Sequence, residues 1–183
     1  MLREHARPLN PEEILLPGTQ ELIASMRETM RDAPGVGLAA PQVGLPLQLA
    51  VIEDREEYMK DLGQETLAER ERKPVAFEVI INPVLTLESD PEIEFFEGCL
   101  SLPGFVALVP RARKVKVECL DAHGRPRVIR ASGWHARILQ HEVDHLMGAL
   151  YVDRMRSVSL CSLDNFTRHW KGKSIPEIKR LLP

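Results

Sequence analysis

Between Gly133 and Gly148 the sequence GWHARILQHEVDHLMG sets Trp134, Ile138, His141 and His145 four, three and four residues apart. That spacing follows one stripe of an α-helix, so an aromatic, an aliphatic and two imidazole side chains face the same way. The apolar members turn the stripe inward, and two buried imidazoles without partners would be costly. A fold for this chain has to enclose the helix and give both histidines something to bind. Gly148 is the expected C-terminal cap.

Residues four apart on a helix have Cβ atoms about 5–6 Å apart, which lets His141 and His145 hold one metal ion. Glu142, rotated from the first histidine by one residue, is placed beside the ion as a general base toward water. Catalytic sites of this kind commonly use three protein ligands and an open position. The longer HExxHxxGxxH pattern puts Gly148 in register but Tyr151 where its last histidine belongs, and no glutamate follows His145 before Glu177. Upstream, Glu97-Gly98-Cys99-Leu100-Ser101-Leu102-Pro103-Gly104 offers a thiol between a glycine and a Pro-Gly turn, and Cys99 as a thiolate would complete a His₂Cys site. Cys119 and Cys161 read as small buried hydrophobes. On these residues alone, a zinc endopeptidase and a non-catalytic metal-stabilised module stay open as alternatives.

A chain of 183 residues with 44% hydrophobic content is enough for a single domain, 1–183, around one core. A net charge of -3 and a pI near 6.1 provide no basic footprint and argue against nucleic acid as a partner. Three cysteines without framework spacing argue for a reducing compartment. No apolar run reaches the roughly 18 residues of a membrane span, so no membrane partner is expected, and the first residues lack the apolar core of a signal peptide.

Helix periodicity also marks Thr19 to Arg31, with Leu22, Ile23, Met26 and Met30 on one face, Thr19 as N-cap and a stop at Ala33-Pro34-Gly35. A loop, GVGLAAPQVG, follows. Strands are expected at Leu47–Ile52, Ala76–Ile81, Phe105–Val109 and Val115–Leu120. The last of these turns through Asp121–Gly124 into a return strand at Arg127–Arg130. More than half of Glu53 to Pro74 is charged, which reads as a solvated, partly helical insertion. The pattern is α+β, with mixed or antiparallel sheets packed around a central metal-binding helix.

GVGLAAPQ, EGCLS and HEVDHLMG, in that order, resemble the three signature motifs of the peptide deformylases, and the likeness runs from about Leu22 to Met155. The insertion, the ASGW stretch and the sequence after Tyr151 are more similar to the mitochondrial-type class and its bacterial relatives. The resemblance implies removal of the formyl group from N-formylmethionyl peptides by one divalent ion bound to Cys99, His141 and His145. It implies ferrous iron, with zinc, nickel or cobalt as alternatives, and Glu142 as general acid/base. Gln42 and the Leu100 N–H would form the oxyanion hole, and backbone groups of Val36, Gly37 and Gly98 would pair with the peptide. Phe95, Trp134 and Ile138 would receive the methionine side chain, and Arg111 would contact the peptide further along. Expected partners are nascent formylmethionyl chains at the ribosome exit, met by a monomer or homodimer in a bacterial cytoplasm or in a mitochondrial or plastid matrix.

Overall fold

The computed structural model describes residues 1–91 and 93–182. A short helix, α1 (Pro11–Leu15), opens with a capping box: Asn10 Oδ1 accepts from Glu13 N and Glu13 Oε2 accepts from Asn10 N, both at 2.8 Å. The next helix, α2 (Pro17–Asp32), begins at Pro17. Thr19 is therefore not its N-cap; it lies in the first turn and its hydroxyl donates to Glu13 O at 2.6 Å. Proline at the first helical position accounts for the earlier start, because its φ is already helical and it has no N–H to satisfy.

Then follow β1 (Gly37–Ala39), β2 (Leu49–Asp54), α3 (Gln64–Glu69), β3 (Val75–Leu87), β4 (Ile93–Cys99), β5 (Leu102–Arg111), β6 (Lys114–Leu120), β7 (Pro126–Ser132) and α4 (Gly133–Leu146). The chain ends with β8 (Cys161–Ser162), a single turn α5 (Leu163–Asn165) and α6 (Ile175–Leu181). One sheet has the order β1-β2-β3-β6-β7 and a smaller one β4-β5-β8, with neighbouring strands antiparallel throughout. Among the described residues the parallel contact is an isolated bridge between Arg7 and Leu47.

Side chains alternate along β2, so its two faces enter different cores. Ala50 and Ile52 meet Ala136, Ile138, Leu139 and Val143 of α4, whereas Leu49 and Val51 meet Ile14, Ile23, Met26 and Met30 of the first two helices. The larger sheet is thus covered by α4 on one face and α2 on the other. The smaller sheet meets α4 through polar contacts: Arg137 Nη1 donates to Val109 O of β5 at 2.9 Å and to Glu97 Oε1 of β4 at 2.6 Å. Gly148 ends α4 as expected, at φ +75°, with Ala149 N donating to Asp144 O at 2.8 Å.

Two departures matter for the site. Strand β3 runs on past Ile81 to Leu87 through a kink at Asn82, φ +52°, where its partner changes from β2 to β6. The insertion does form a helix, α3, but its ends are not solvated: Asp54 is fully buried and accepts two bonds from Arg72 at 2.8 Å. Arg70 and Arg72 lie 5.0 and 5.1 Å from the ring centre of Trp134, where cation–π attraction substitutes for water.

Candidate metal centre

The end of β4 and the middle of α4 meet at three donors. Cys99 Sγ lies 3.3 Å from His145 Nε2, and His145 Nε2 lies 3.2 Å from His141 Nε2. All three donors fall within 4.8 Å of one another. Donors around a tetrahedral ion with Zn–N and Zn–S bonds of ordinary length sit about 3.3–3.6 Å apart, so the trio fits one divalent ion.

Burial lowers the basicity of His141, but hydrogen bonds to Cys99 and Glu97 outweigh it and raise its pKa to about 10; burial and the charge of His141 push His145 down to about 3. A divalent ion bound here would have to displace the proton from His141, since histidine ligates as neutral imidazole.

Glu97 holds His141 from behind. Its Oε2 lies 3.1 Å from His141 Nδ1, a contact that turns Nε2 toward the donors and fixes the tautomer. The same carboxylate accepts from Arg111 Nε and Nη2 at 3.1 and 3.0 Å and from Arg137 Nη1 at 2.6 Å. Burial alone would raise the Glu97 pKa; the Arg111 guanidinium and His141 outweigh it and hold it far below the usual carboxylate range. Arg111 reaches on to Asp144 Oδ2 at 2.5 Å, and Asp144 also pairs with Arg154. Arg111 is 3% exposed, and its three nitrogens are spent on these two carboxylates. The expected contact between Arg111 and a substrate peptide is therefore corrected: it is an internal strut under the metal helix.

Glu142 is 3% exposed, burial raises its pKa to about 7, and Oε2 has no hydrogen-bond partner among the described residues. A buried oxygen left unpaired at a cavity wall is suited to a proton on water or substrate. Gln42 is held on one side, where Oε1 accepts from Ala39 N at 2.8 Å. That contact aims Nε2 across the cavity at Cys99 Sγ, 3.6 Å, and Ser101 Oγ, 3.1 Å.

These groups open on a cavity of about 430 Å³, within the range of small-ligand sites. Val36, Gly37, Gln42, Gly98, Cys99, Leu100, Trp134, Ile138, His141 and Glu142 all line it. Both β1 and β4 are edge strands, so Gly37 and Gly98 stand where an extended peptide could add backbone hydrogen bonds. The Val36 carbonyl already accepts from Glu53 N at 3.1 Å. Phe95 is a second correction. It lies behind the cavity wall, edge-on to Trp134 with ring centres 6.3 Å apart and under the Arg137 guanidinium, while Phe96 lines the cavity. Sequence reasoning also gave no role to Glu97, although it stands two residues before a candidate ligand; a carboxylate there is a detectable signal for a histidine partner.

The polypeptide deformylase family model matches residues 1–160. The chain belongs to the polypeptide deformylase family. Peptide deformylase 1A, chloroplastic/mitochondrial, of Arabidopsis thaliana is 47% identical over 165 residues, 90% of this chain and 61% of that protein. The chain thus spans about three fifths of this curated relative. The mitochondrial peptide deformylase of Homo sapiens is 39% identical over 86% of the chain and 65% of that protein. Among solved structures, the class I type b peptide deformylase of Acinetobacter baumannii bound to Met-Ala-Ser has a TM-score of 0.74 at 32% identity, covering 84% of this chain and 91% of that one. The actinonin complex of the Synechococcus elongatus deformylase has a TM-score of 0.70 at 38% identity, covering 85% and 74%. The antiparallel architecture around the metal helix is the architecture of a deformylase. Similar proteins include bacterial, mitochondrial and chloroplast members.

Proposed function

We propose that this deformylase-family chain hydrolyses the formyl group from N-formylmethionyl peptides, giving formate and a free N-terminal amine, with residues 1–183 as one catalytic domain. The observation that carries the reading is the Cys99/His141/His145 cluster beside the unpartnered, buried carboxylate of Glu142. A divalent ion held by Cys99, His141 and His145 would supply Lewis acidity and lower the pKa of a water. Thiolate with two imidazoles suits iron, zinc, cobalt or nickel, and ferrous iron is the ion we assign on the family likeness.

Glu142 takes the proton of the attacking water and delivers it to the departing amine, a role typically worth about 10²–10⁴-fold. Gln42 Nε2 and the Leu100 N–H donate to the carbonyl oxygen as charge develops there; one such donor is worth about 2.7–4 kcal/mol. Edge strands β1 and β4 receive the peptide backbone at Val36, Gly37 and Gly98. Trp134 and Ile138, on the helix that carries the histidines, form the apolar wall for the methionine side chain. The similar Acinetobacter protein is bound to Met-Ala-Ser, a peptide of the kind this reaction would release.

Partners are nascent formylmethionyl chains at the ribosome exit, met by a monomer or homodimer in a bacterial cytoplasm or organelle matrix. No helix among the described residues is long and apolar enough to cross a membrane. The test is anaerobic purification, metal analysis and incubation with formyl-Met-Ala-Ser. Formate equal to the new amine supports the reading; cleavage of an unformylated protein without formate release would favour an endopeptidase.

A further inference from the structure

Three arginines crowd one indole at the start of the metal helix. The guanidinium carbons of Arg70, Arg72 and Arg137 lie 5.0, 5.1 and 6.0 Å from the Trp134 ring centre. Arg70 and Arg137 also lie 5.4 and 5.1 Å from the Phe95 ring centre. Arg72 and Arg137 are each tied to a buried carboxylate, Arg72 to Asp54 at 2.8 Å and Arg137 to Glu97 at 2.6 Å. Arg70 is held differently. Its Nε is buried without a hydrogen-bond partner among the described residues, and burial, then the charge of Arg72, weaken its hold on its proton. Cation–π attraction to the two rings takes the place of an ion pair.

The backbone keeps the arginine there. A Cβ on Gly133, the first residue of α4, would lie 2.4 Å from Glu71 Cβ and 2.8 Å from Arg70 O, so the end of the inserted segment is seated directly on the start of the helix. Arg70 lines a second cavity, of about 200 Å³, with Phe95, Gly133 and Arg137, and not the central one. Trp134 does line the central cavity, with Ile138 one turn on. Arg70 therefore reaches that cavity through the Trp134 ring rather than by touching what binds there.

We propose that Arg70 is a positioning residue: from the inserted segment it fixes the Trp134 ring as the wall on which the first side chain of the substrate packs. The substrate half rests on the formyl-peptide reading of the cavity; the placement of the ring does not. A cation–π contact at a partly buried ring corresponds to about a fivefold factor in an equilibrium.

The experiment has an optical and a kinetic arm. The chain has two tryptophans, so Trp170→Phe leaves Trp134 as its one indole. In that background Arg70→Ala should raise acrylamide quenching of Trp134 about twofold, because the arginine covers the ring. In the metal-loaded enzyme Arg70→Ala should raise KM for formyl-Met-Ala-Ser about fivefold with kcat unchanged. Formyl-Ala-Ala-Ser, whose first side chain is too short to lie on the ring, should stay within about twofold. Arg70→Lys, which keeps a cation over the ring, should stay within about twofold of wild type on both peptides. Arg125→Ala, in the turn between β6 and β7, should change neither readout. Arg70→Gln is read in place of Arg70→Ala if circular dichroism shows the latter misfolded. Unchanged quenching, or equal losses on the two peptides, overturns the assignment. No formate from wild type on either peptide overturns the formyl-peptide reading and the substrate half of the proposal with it; the quenching arm still decides whether Arg70 holds the ring.

Discussion

Gly37 leaves the space that the Glu142 carboxylate occupies: a Cβ on residue 37 would lie 2.2 Å from Glu142 Oε1 and 2.5 Å from its Cδ. Strand β1 and helix α4 meet at this point with no room for a methyl group. The glycine of the first motif and the glutamate of the last are therefore one structural unit.

Gly37→Ala should push the Glu142 carboxylate off the position it holds at the cavity wall, because the added Cβ would overlap its Oε1 and Cδ. Turnover should fall by about 10²–10⁴-fold, as for loss of the acid/base itself, while metal stoichiometry stays at one. Formate-release kinetics and metal analysis on the same sample check this. A variant that turns over normally would show that Glu142 works from another position.

Arg111 should matter for stability before anything else. Arg111→Ala leaves Glu97 and Asp144 buried with fewer partners, and stranding a buried ion costs about 3–5 kcal/mol. Chemical denaturation measures the loss. A variant of unchanged stability with a raised KM only for longer peptides would return Arg111 to the substrate site.

Glu78 links three elements: from β3 it accepts from Arg127 of β7 at 2.5 Å and lies 3.2 Å from His135 of α4. Burial pushes its pKa up, but His135 and Arg127 outweigh burial and leave it below the usual carboxylate value. A carboxyl that is more acidic when folded binds fewer protons in the folded state. It therefore stabilises the fold above its unfolded pKa, about 4.3, and that contribution disappears as pH falls through the lower folded pKa. Wild type should exceed Glu78→Gln in stability by a constant amount near neutral pH, and the gap should close below about pH 4. Unfolding curves across pH measure it, and a gap that widens in acid would contradict the pairing.

What could be read from the sequence was what lies close together along the chain. The Trp134 to His145 stripe, the alternation of Val115, Val117 and Cys119 in β6, and the Gly148 cap are local patterns, and the structure forms them all. Strand β4 was hidden because Glu94 and Glu97 interrupt its apolar pattern, and Glu97 is tolerated inside only by Arg111 and Arg137, 14 and 40 residues away. The same blindness applied to Arg70 and Arg72. A charged segment reads as solvated until Trp134 and Asp54 are brought against it by the fold. Phe95 and Phe96 show the limit most sharply, since composition cannot tell which of two adjacent phenylalanines faces the cavity.

The central claim is that Glu142 moves the proton in formyl hydrolysis beside an ion held by Cys99, His141 and His145. It is tested most directly by formate release from formyl-Met-Ala-Ser with wild type and Glu142→Gln, metal content being measured on the same samples. Wild type should release one formate per peptide, and Glu142→Gln should keep equal metal yet turn over at least about 10²-fold more slowly. Near-normal formate release by a metal-replete Glu142→Gln would contradict the account.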